Sequence, residues 1–294
     1  MSVNKIVLII PFLCLVFLWE MVFYGSDPIA NDSIAHIPIA EWSKSVKEFP
    51  HWFPNLFSGM PSYGGYIYNN GDPTKFIRNY LLFNPGFKIW FYLSISGFGM
   101  FFLLKFLGIS KNSAVFGAII SALTPYSFGL INAGHLNKIF AMAYIPWVLL
   151  SAIYSIKNRN IKSILLLSLV TALQLWVNHP QIAYYTWMVI GFYFCWDISL
   201  NIKNKNSIRV SMLKLGSILI GLVIAILMVS DPYADIYNFQ KESSRGAKSV
   251  LDQTKETANG ASWNYATQWS FHPKELISFI YPYHYGLQNT QDFK

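Results

Sequence analysis

Residues 3 to 24 read VNKIVLIIPFLCLVFLWEMVFY, an apolar run whose charges, Lys5 and Glu20, lie towards its two ends. A membrane-spanning helix needs about 20 mostly apolar residues. The run is longer than the apolar part of a signal peptide and shows no small-residue cleavage site before Asp27, which favours a retained first helix. Further runs predict seven spans in all, the others at about 87 to 107, 114 to 131, 139 to 156, 162 to 178, 181 to 200 and 212 to 230.

The composition places the whole chain in the same class. Of its residues 53% are hydrophobic and 12% are charged, against roughly a quarter charged in soluble domains. The net charge of +8 is spread between apolar runs and not clustered with exposed aromatic residues, so nucleic acid is not a predicted partner. Cys14 and Cys195 both lie in apolar runs, and no disulfide framework is predicted. The sequence therefore predicts an all-α polytopic membrane protein surrounded by membrane lipids.

Basic residues in the short loops predict how the chain is oriented. Short loops rich in Lys and Arg stay in the cytoplasm, whereas long loops cross regardless of charge. One side holds only Lys138 in its short loops, and the other collects Lys5, Lys105, Lys111, Lys157, Arg159, Lys162, Lys203, Lys205, Arg209 and Lys214. This asymmetry predicts a cytoplasmic amino terminus. Together with the predicted spans, this orientation divides the chain into two parts. They are a transmembrane domain, 1–230, with a long outer loop at 25–86, and an outer segment, 231–294.

The long first outer loop contains a helical pattern of its own. Apolar residues recur near helical spacing behind Pro38, at Ile39, Trp42, Val46 and Phe49. Proline is well placed at a first helical position. The pattern predicts an amphipathic helix that lies at the membrane interface.

Two candidate residues, Asp32 and His36, precede that helix. In one interpretation Asp32 is a carboxylate that deprotonates an acceptor hydroxyl, or holds a metal ion, just above the membrane. In the other it is a helix cap or a solvated loop acid, since Asp and its neighbours Asn31 and Ser33 commonly cap helices. His36 shares a face with Asp32 only if this turn is helical.

Further candidates lie in loops on the same predicted outer side. The stretch AGHLNK carries His135 and Lys138, and NHPQ carries His179 and Gln181. Imidazole, amide and ammonium donors at this depth suit the phosphate of a lipid-linked ligand. A structural role for each, in a turn or a helix break, is the alternative. In the final outer segment, Arg245 suits an anionic or sugar-bearing ligand, although a solvated loop carries similar charges.

Six blocks in order along the chain resemble the bacterial YfhO-like membrane proteins, a family of GT-C class glycosyltransferases. The blocks are NDSIAH, WFPNLFSGMPSY, AGHLNKIFAMAY, VNHPQIAYY, SRGAKSVL and NYATQWSF. The resemblance implies a GT-C-like fold and transfer of a sugar from a polyprenyl-phosphate donor to an envelope polymer or lipid acceptor. It also implies an acidic catalytic residue in the first outer loop, to which Asp32 is most similar. Members of the family are longer, so we expect this chain to correspond to their amino-terminal part.

Two other functions fit the same loops. A transporter or flippase of lipid-linked saccharides would place ionisable residues near the bilayer midplane and use paired broken helices. A non-catalytic envelope assembly protein would keep the loops without needing a particular carboxylate. No metal-ligand spacing is evident, and a divalent metal ion is left open as a cofactor. The expected location is the bacterial cytoplasmic membrane, with several passes.

Overall fold

A computed structural model gives the fold of the chain. It describes residues 5–26, 41–42, 45–46, 52–54, 58–62, 73–74, 77, 82, 84–205, 207–240, 243, 263, 267, 270, 272–281 and 284. Two compact units divide the chain, Met1–Ala234 and Asp235–Lys294. In the second unit a short 3₁₀ helix covers Pro273–Phe279.

The described part of the chain is dominated by α-helices. A 3₁₀ turn, Lys5–Leu8, leads into α1 (Ile9–Phe17) and α2 (Trp19–Phe23). A small antiparallel hairpin pairs β1 (Trp52–Phe53) with β2 (Met60–Pro61). There follow α3 (Pro85–Phe106), α4 (Lys111–Ala122), α5 (Pro125–Asn132), α6 (Leu136–Ala143), α7 (Ile145–Asn158), α8 (Ile161–Trp176), α9 (Pro180–Lys203), α10 (Ile208–Met228) and α11 (Ser230–Phe239).

Four helical stretches of the described chain are long and apolar enough to cross a membrane. They are Pro85–Phe106, Lys111–Asn132, Leu136–Asn158 and Ile208–Met228, and they fit an all-α membrane protein. The apolar helices Ile6–Phe17 and Ile161–Trp176 are shorter, and α9 has the length of a span but is less apolar. The three spans predicted in those places therefore remain predictions, as does the total of seven.

Several helices begin where a polar residue accepts the first free backbone amides. The Asn84 side chain accepts from the amide of Phe87 at 2.7 Å, with Pro85 at the first helical position of α3. Asn160 and Ser163 form a reciprocal capping box at the start of α8. Such caps satisfy donors that a helix cannot satisfy internally. These caps define the residues at which the helices begin.

Two of the spans are broken inside the apolar stretch. The span Lys111–Asn132 is interrupted at Leu123 and Thr124, directly before Pro125, and Leu136–Asn158 is interrupted at Tyr144, two residues before Pro146. Proline lacks the amide hydrogen that a continuous helix would use. The prolines therefore locate both breaks, and neighbouring groups must satisfy the freed carbonyls.

Helix α3 lies at the centre of the first unit. The indole of Trp90 donates to the carbonyl of Pro11 at 2.8 Å, and the indole of Trp147 donates to the carbonyl of Ile95 at 2.9 Å. Gly86 lies so close to α2 that an added Cβ would meet the carbonyl oxygen of Met21 at 2.2 Å. Helices α1, α2 and α7 are thereby joined to α3 by hydrogen bonds and close packing.

Short connections alternate between two ends of this bundle, which we call the basic face and the histidine face. At the basic face, the Lys157 ammonium lies 4.4 Å from the centre of the Phe106 ring, so α3 and α7 end together. At the histidine face, the Asn84 amide donates to the carbonyl of Val22 at 3.1 Å, so α2 ends where α3 begins. The turns that contain His135 and His179 follow by alternation on this second face.

The first loop contains an ordered aromatic contact. Phe53 in β1 is buried, and its ring meets the Trp42 ring edge-on at 5.8 Å. Glu41, Trp42 and Ser45 are helical, and Val46 lies in a bend. The other residues of the predicted interfacial helix lie outside the described part of the chain, and that helix remains a prediction.

A labelling experiment tests which face is outside. Ser26 is exposed at the histidine face, and Asn158 is exposed at the basic face. We expect an impermeant thiol reagent on intact cells, or on spheroplasts where an outer membrane is present, to label Ser26→Cys and not Asn158→Cys, because the basic loops stay in the cytoplasm. Labelling of Asn158→Cys and not of Ser26→Cys would show that the predicted orientation is reversed.

Candidate anion-binding site

The first turn of the histidine face is built around Gly134. This glycine has a φ of +78°, a left-handed conformation that glycine adopts without strain. Its amide donates to the carbonyl of Ile131 at 3.1 Å, and the amide of His135 donates to the carbonyl of Leu130 at 2.9 Å. These two bonds form a Schellman motif that closes α5. His135 is thereby placed directly before α6.

The second turn also places a left-handed residue before its histidine. Asn178 has a φ of +62°, and its amide donates to the carbonyl of Leu175 at 2.9 Å, which closes α8. Asparagine is among the few residues that visit this conformation routinely. His179 follows and precedes Pro180, the first residue of α9. Each turn thus consists of a left-handed residue, a histidine and a new helix.

Both histidines stand at the N-cap position of a helix without a side-chain capping bond. This holds for His135 before α6 and for His179 before α9. The first amides of a helix point towards such a position, and the helix dipole makes it positive. Helix amino termini of this kind favour bound anions.

Lys138 lies in the first turn of α6, between the two histidines in sequence. It is half-buried, and its ammonium lies 5.4 Å from the centre of the Tyr126 ring. Within the described residues, Lys214 and Asp197 form an ion pair at 2.6 Å, whereas Lys138 has no carboxylate partner. A cation near the amino terminus of a helix is repelled by the positive end of the helix dipole. A bound anion here would therefore be stabilised both by the Lys138 ammonium and by the dipole.

The two turns are neighbours, because α6 and α9 are in contact and the Gln174 side chain hydrogen-bonds to both helices. Burial lowers the pKa of His179 from its ordinary value of 6.5, and the positive charge of Lys138 and then that of His135 lower it further. Within the described residues its buried Nδ1 has no hydrogen-bond partner. The lowered pKa favours the neutral form of the His179 imidazole.

The helix that carries Lys138 is fixed by aromatic packing on α3. The Phe140 ring stacks on the Tyr92 ring at 4.2 Å with an interplanar angle of 22°, and Tyr144 meets Tyr92 edge-on at 6.0 Å. Such pairs stabilise by about 0.5–1.5 kcal/mol beyond the area they bury. The position of α6, and with it that of His135 and Lys138, is thus set by the core.

The structure brings together three of the predicted site residues, His135, Lys138 and His179. Gln181 is exposed, and its side-chain amide donates to the hydroxyl of Tyr185 at 2.8 Å, along its own helix. The remaining predicted site residues lie outside the described part of the chain, namely Asp32, His36 and Arg245.

Two further residues belong to this region although the sequence patterns did not indicate them. Tyr126 lies under the Lys138 ammonium, and Gln174, a buried amide in α8, donates to the backbone of α6. A glutamine inside an apolar helix is a signal that sequence inspection can use, because a buried amide needs partners.

The described residues contain no group of three or more His, Cys, Asp or Glu side chains that could hold a metal ion. The divalent ion that the sequence leaves open remains a prediction. Comparison with protein-family models, with curated proteins and with solved structures gives no match. The fold fits an all-α membrane protein, and His135, Lys138 and His179 form a cluster at the histidine face of the bundle, which we call the cationic cluster.

Titration of His179 tests this geometry without any ligand. We expect its NMR-monitored pKa to lie below 6.5 and to rise when Lys138→Met removes the neighbouring charge, without reaching its ordinary value, because burial is the larger cause. Lys157→Met, at the basic face, is the matched control and should leave the pKa of His179 unchanged. An equal response to both variants would contradict the proximity of the two turns.

Proposed function

We propose that the protein is a GT-C-like membrane glycosyltransferase that moves a sugar from a polyprenyl-phosphate donor to a cell-envelope acceptor at the outer face. The observation that carries the proposal is the convergence of His135, Lys138 and His179 at the amino termini of two helices that are in contact and share hydrogen bonds from Gln174. The resemblance to YfhO-like proteins, which includes both turns, supplies the reaction class.

The donor phosphate suits this cluster in charge and in depth. A lipid-linked phosphate lies near the headgroups, and the two turns lie where apolar helices end. The ammonium of Lys138 offers a charge-assisted bond to a phosphate oxygen, which is stronger than a neutral one. The neutral imidazole of His179 and the backbone amides of Asn137 and Gln181 offer further donors. Pro180 has no amide hydrogen, and the amides of Leu136, Lys138 and Ile182 donate to backbone carbonyls.

In the proposed reaction, the bond between the anomeric carbon and the phosphate oxygen breaks, and polyprenyl phosphate leaves. Negative charge grows on that phosphate as the bond breaks, and preorganised positive groups stabilise such a transition state. Asp32 takes the proton of the acceptor hydroxyl as the new glycosidic bond forms. Lys138 and the histidines thus serve the leaving group, and Asp32 serves the nucleophile.

One observation favours the transporter interpretation as a second candidate. The spans Lys111–Asn132 and Leu136–Asn158 are both discontinuous and follow each other directly. Transporters commonly build substrate sites from discontinuous helices. The polar cluster lies at the histidine face, where these two spans meet, although the Lys138 ammonium also lies over Tyr126, two residues after the first break.

Proteoliposomes that contain a polyprenyl-phosphate sugar distinguish the candidates. A transferase cleaves the donor and releases polyprenyl phosphate when an acceptor is present. A flippase moves intact donor between leaflets, and an assembly protein does neither. We expect acceptor-dependent cleavage; translocation of uncleaved donor would replace the proposal with the transporter.

A further inference from the structure

The amide of Gln174 joins three helices just below the two turns. Gln174 in α8 is completely buried, and its Nε2 donates to the carbonyl of Ala141 in α6 at 3.1 Å and to the hydroxyl of Thr186 in α9 at 3.0 Å. The Thr186 hydroxyl in turn donates to the carbonyl of Ile182 at 2.8 Å. Both amide hydrogens of Gln174 are therefore used, each towards a different helix.

The orientation of this amide follows from its partners. The carbonyl of Ala141 can only accept, so the nitrogen of Gln174 must face it. Among the described residues the oxygen of Gln174 has no partner. An unpaired buried acceptor is unfavourable, and an apolar side chain would fill the same space without that cost. Packing alone therefore does not explain a glutamine here.

The carbonyl that Gln174 binds is beside the break between α6 and α7. Helix α6 ends here, and the amide of Tyr144 makes a long hydrogen bond of 3.3 Å to the carbonyl of Ala141. Gln174 supplies a second donor to the same oxygen. The break separates the short helix α6 from α7, so α6 depends on such contacts for its orientation.

The two helices joined by this amide are those whose amino termini carry the cationic cluster. Ala141 lies three residues after Lys138 in α6, and Thr186 lies seven residues after His179 in α9. A change in the spacing of α6 and α9 would separate Lys138 from His179. We propose that Gln174 is a positioning residue that holds the two helix amino termini at the distance needed to bind one phosphate group between them.

This inference rests on the proposed function for its ligand, but its first readout needs no ligand. Gln174→Met keeps the length of the side chain and removes both hydrogen bonds. Thr171→Val, on the same helix one turn earlier, is the matched control, since its hydroxyl is also buried and makes no bond within the described residues. Thr186→Val removes one partner of the amide and serves as the second variant should Gln174→Met not fold.

We expect Gln174→Met and Thr186→Val to raise the NMR-monitored pKa of His179 in nanodiscs and to weaken binding of undecaprenyl phosphate about five-fold. Thr171→Val should change neither. A lower Tm with unchanged pKa and affinity would overturn the inference and leave a purely structural bond. If the unmodified protein does not bind undecaprenyl phosphate, the proposed function fails, and the pKa of His179 alone still decides whether Gln174 positions the turns.

Discussion

Asp32→Asn should lose about 100- to 10,000-fold in turnover of a polyprenyl-phosphate sugar, the contribution of a positioned general base. The acceptor hydroxyl must lose its proton as it attacks the anomeric carbon. Asparagine keeps the size and one acceptor oxygen but cannot take that proton. Expression, membrane insertion and donor binding should remain nearly intact. Turnover is measured as released polyprenyl phosphate from purified protein in nanodiscs.

Asp27→Asn is the matched control, because Asp27 lies in the same predicted loop, three residues after the first apolar run. It should cost much less turnover than Asp32→Asn. Equal losses would show that the catalytic assignment within the loop is wrong. Full turnover of Asp32→Asn would remove the proposed mechanism and favour the transporter.

Lys138→Met should weaken binding of the donor ten-fold or more, since a hydrogen bond to a charged group contributes about 1.5–3 kcal/mol. Methionine keeps the length and apolar stem of lysine and removes the charge. Binding is measured by titration of a polyprenyl-phosphate sugar into nanodiscs that contain the protein. The effect should shrink at high salt, because screening weakens partly exposed charges.

Lys157→Met provides a close control for that change. Like Lys138, Lys157 lies over an aromatic ring, at 4.4 Å from the centre of Phe106, but it belongs to the basic face. Its replacement should leave donor affinity unchanged. If both variants weaken binding equally, the lysines act through general attraction of an anionic lipid, and no local phosphate site exists at the histidine face.

The helices could be predicted from the sequence because their signals are local. Apolar runs of spanning length mark Pro85–Phe106 and Ile208–Met228, and Pro125 and Pro146 mark the places where two spans break. The break in the first apolar run could not be predicted from the sequence. It is interrupted at Leu18, where no proline or glycine indicates a break.

The candidate site could be predicted in part. The topology rule placed His135, Lys138 and His179 on one face, but it could not show that they lie close together. That proximity depends on long-range packing such as the stack of Phe140 on Tyr92 and the bond from Gln174 to Ala141. Neither contact leaves a periodic signal, because each joins residues distant in sequence.

The central claim is that a lipid phosphate binds between the two turns. Solid-state NMR can test it by measuring dephasing of ¹³C-labelled histidine signals by the ³¹P nucleus of bound undecaprenyl phosphate. We predict dephasing of the His135 and His179 signals, and its loss in Lys138→Met. Bound lipid that leaves both histidine signals unaffected would contradict the account.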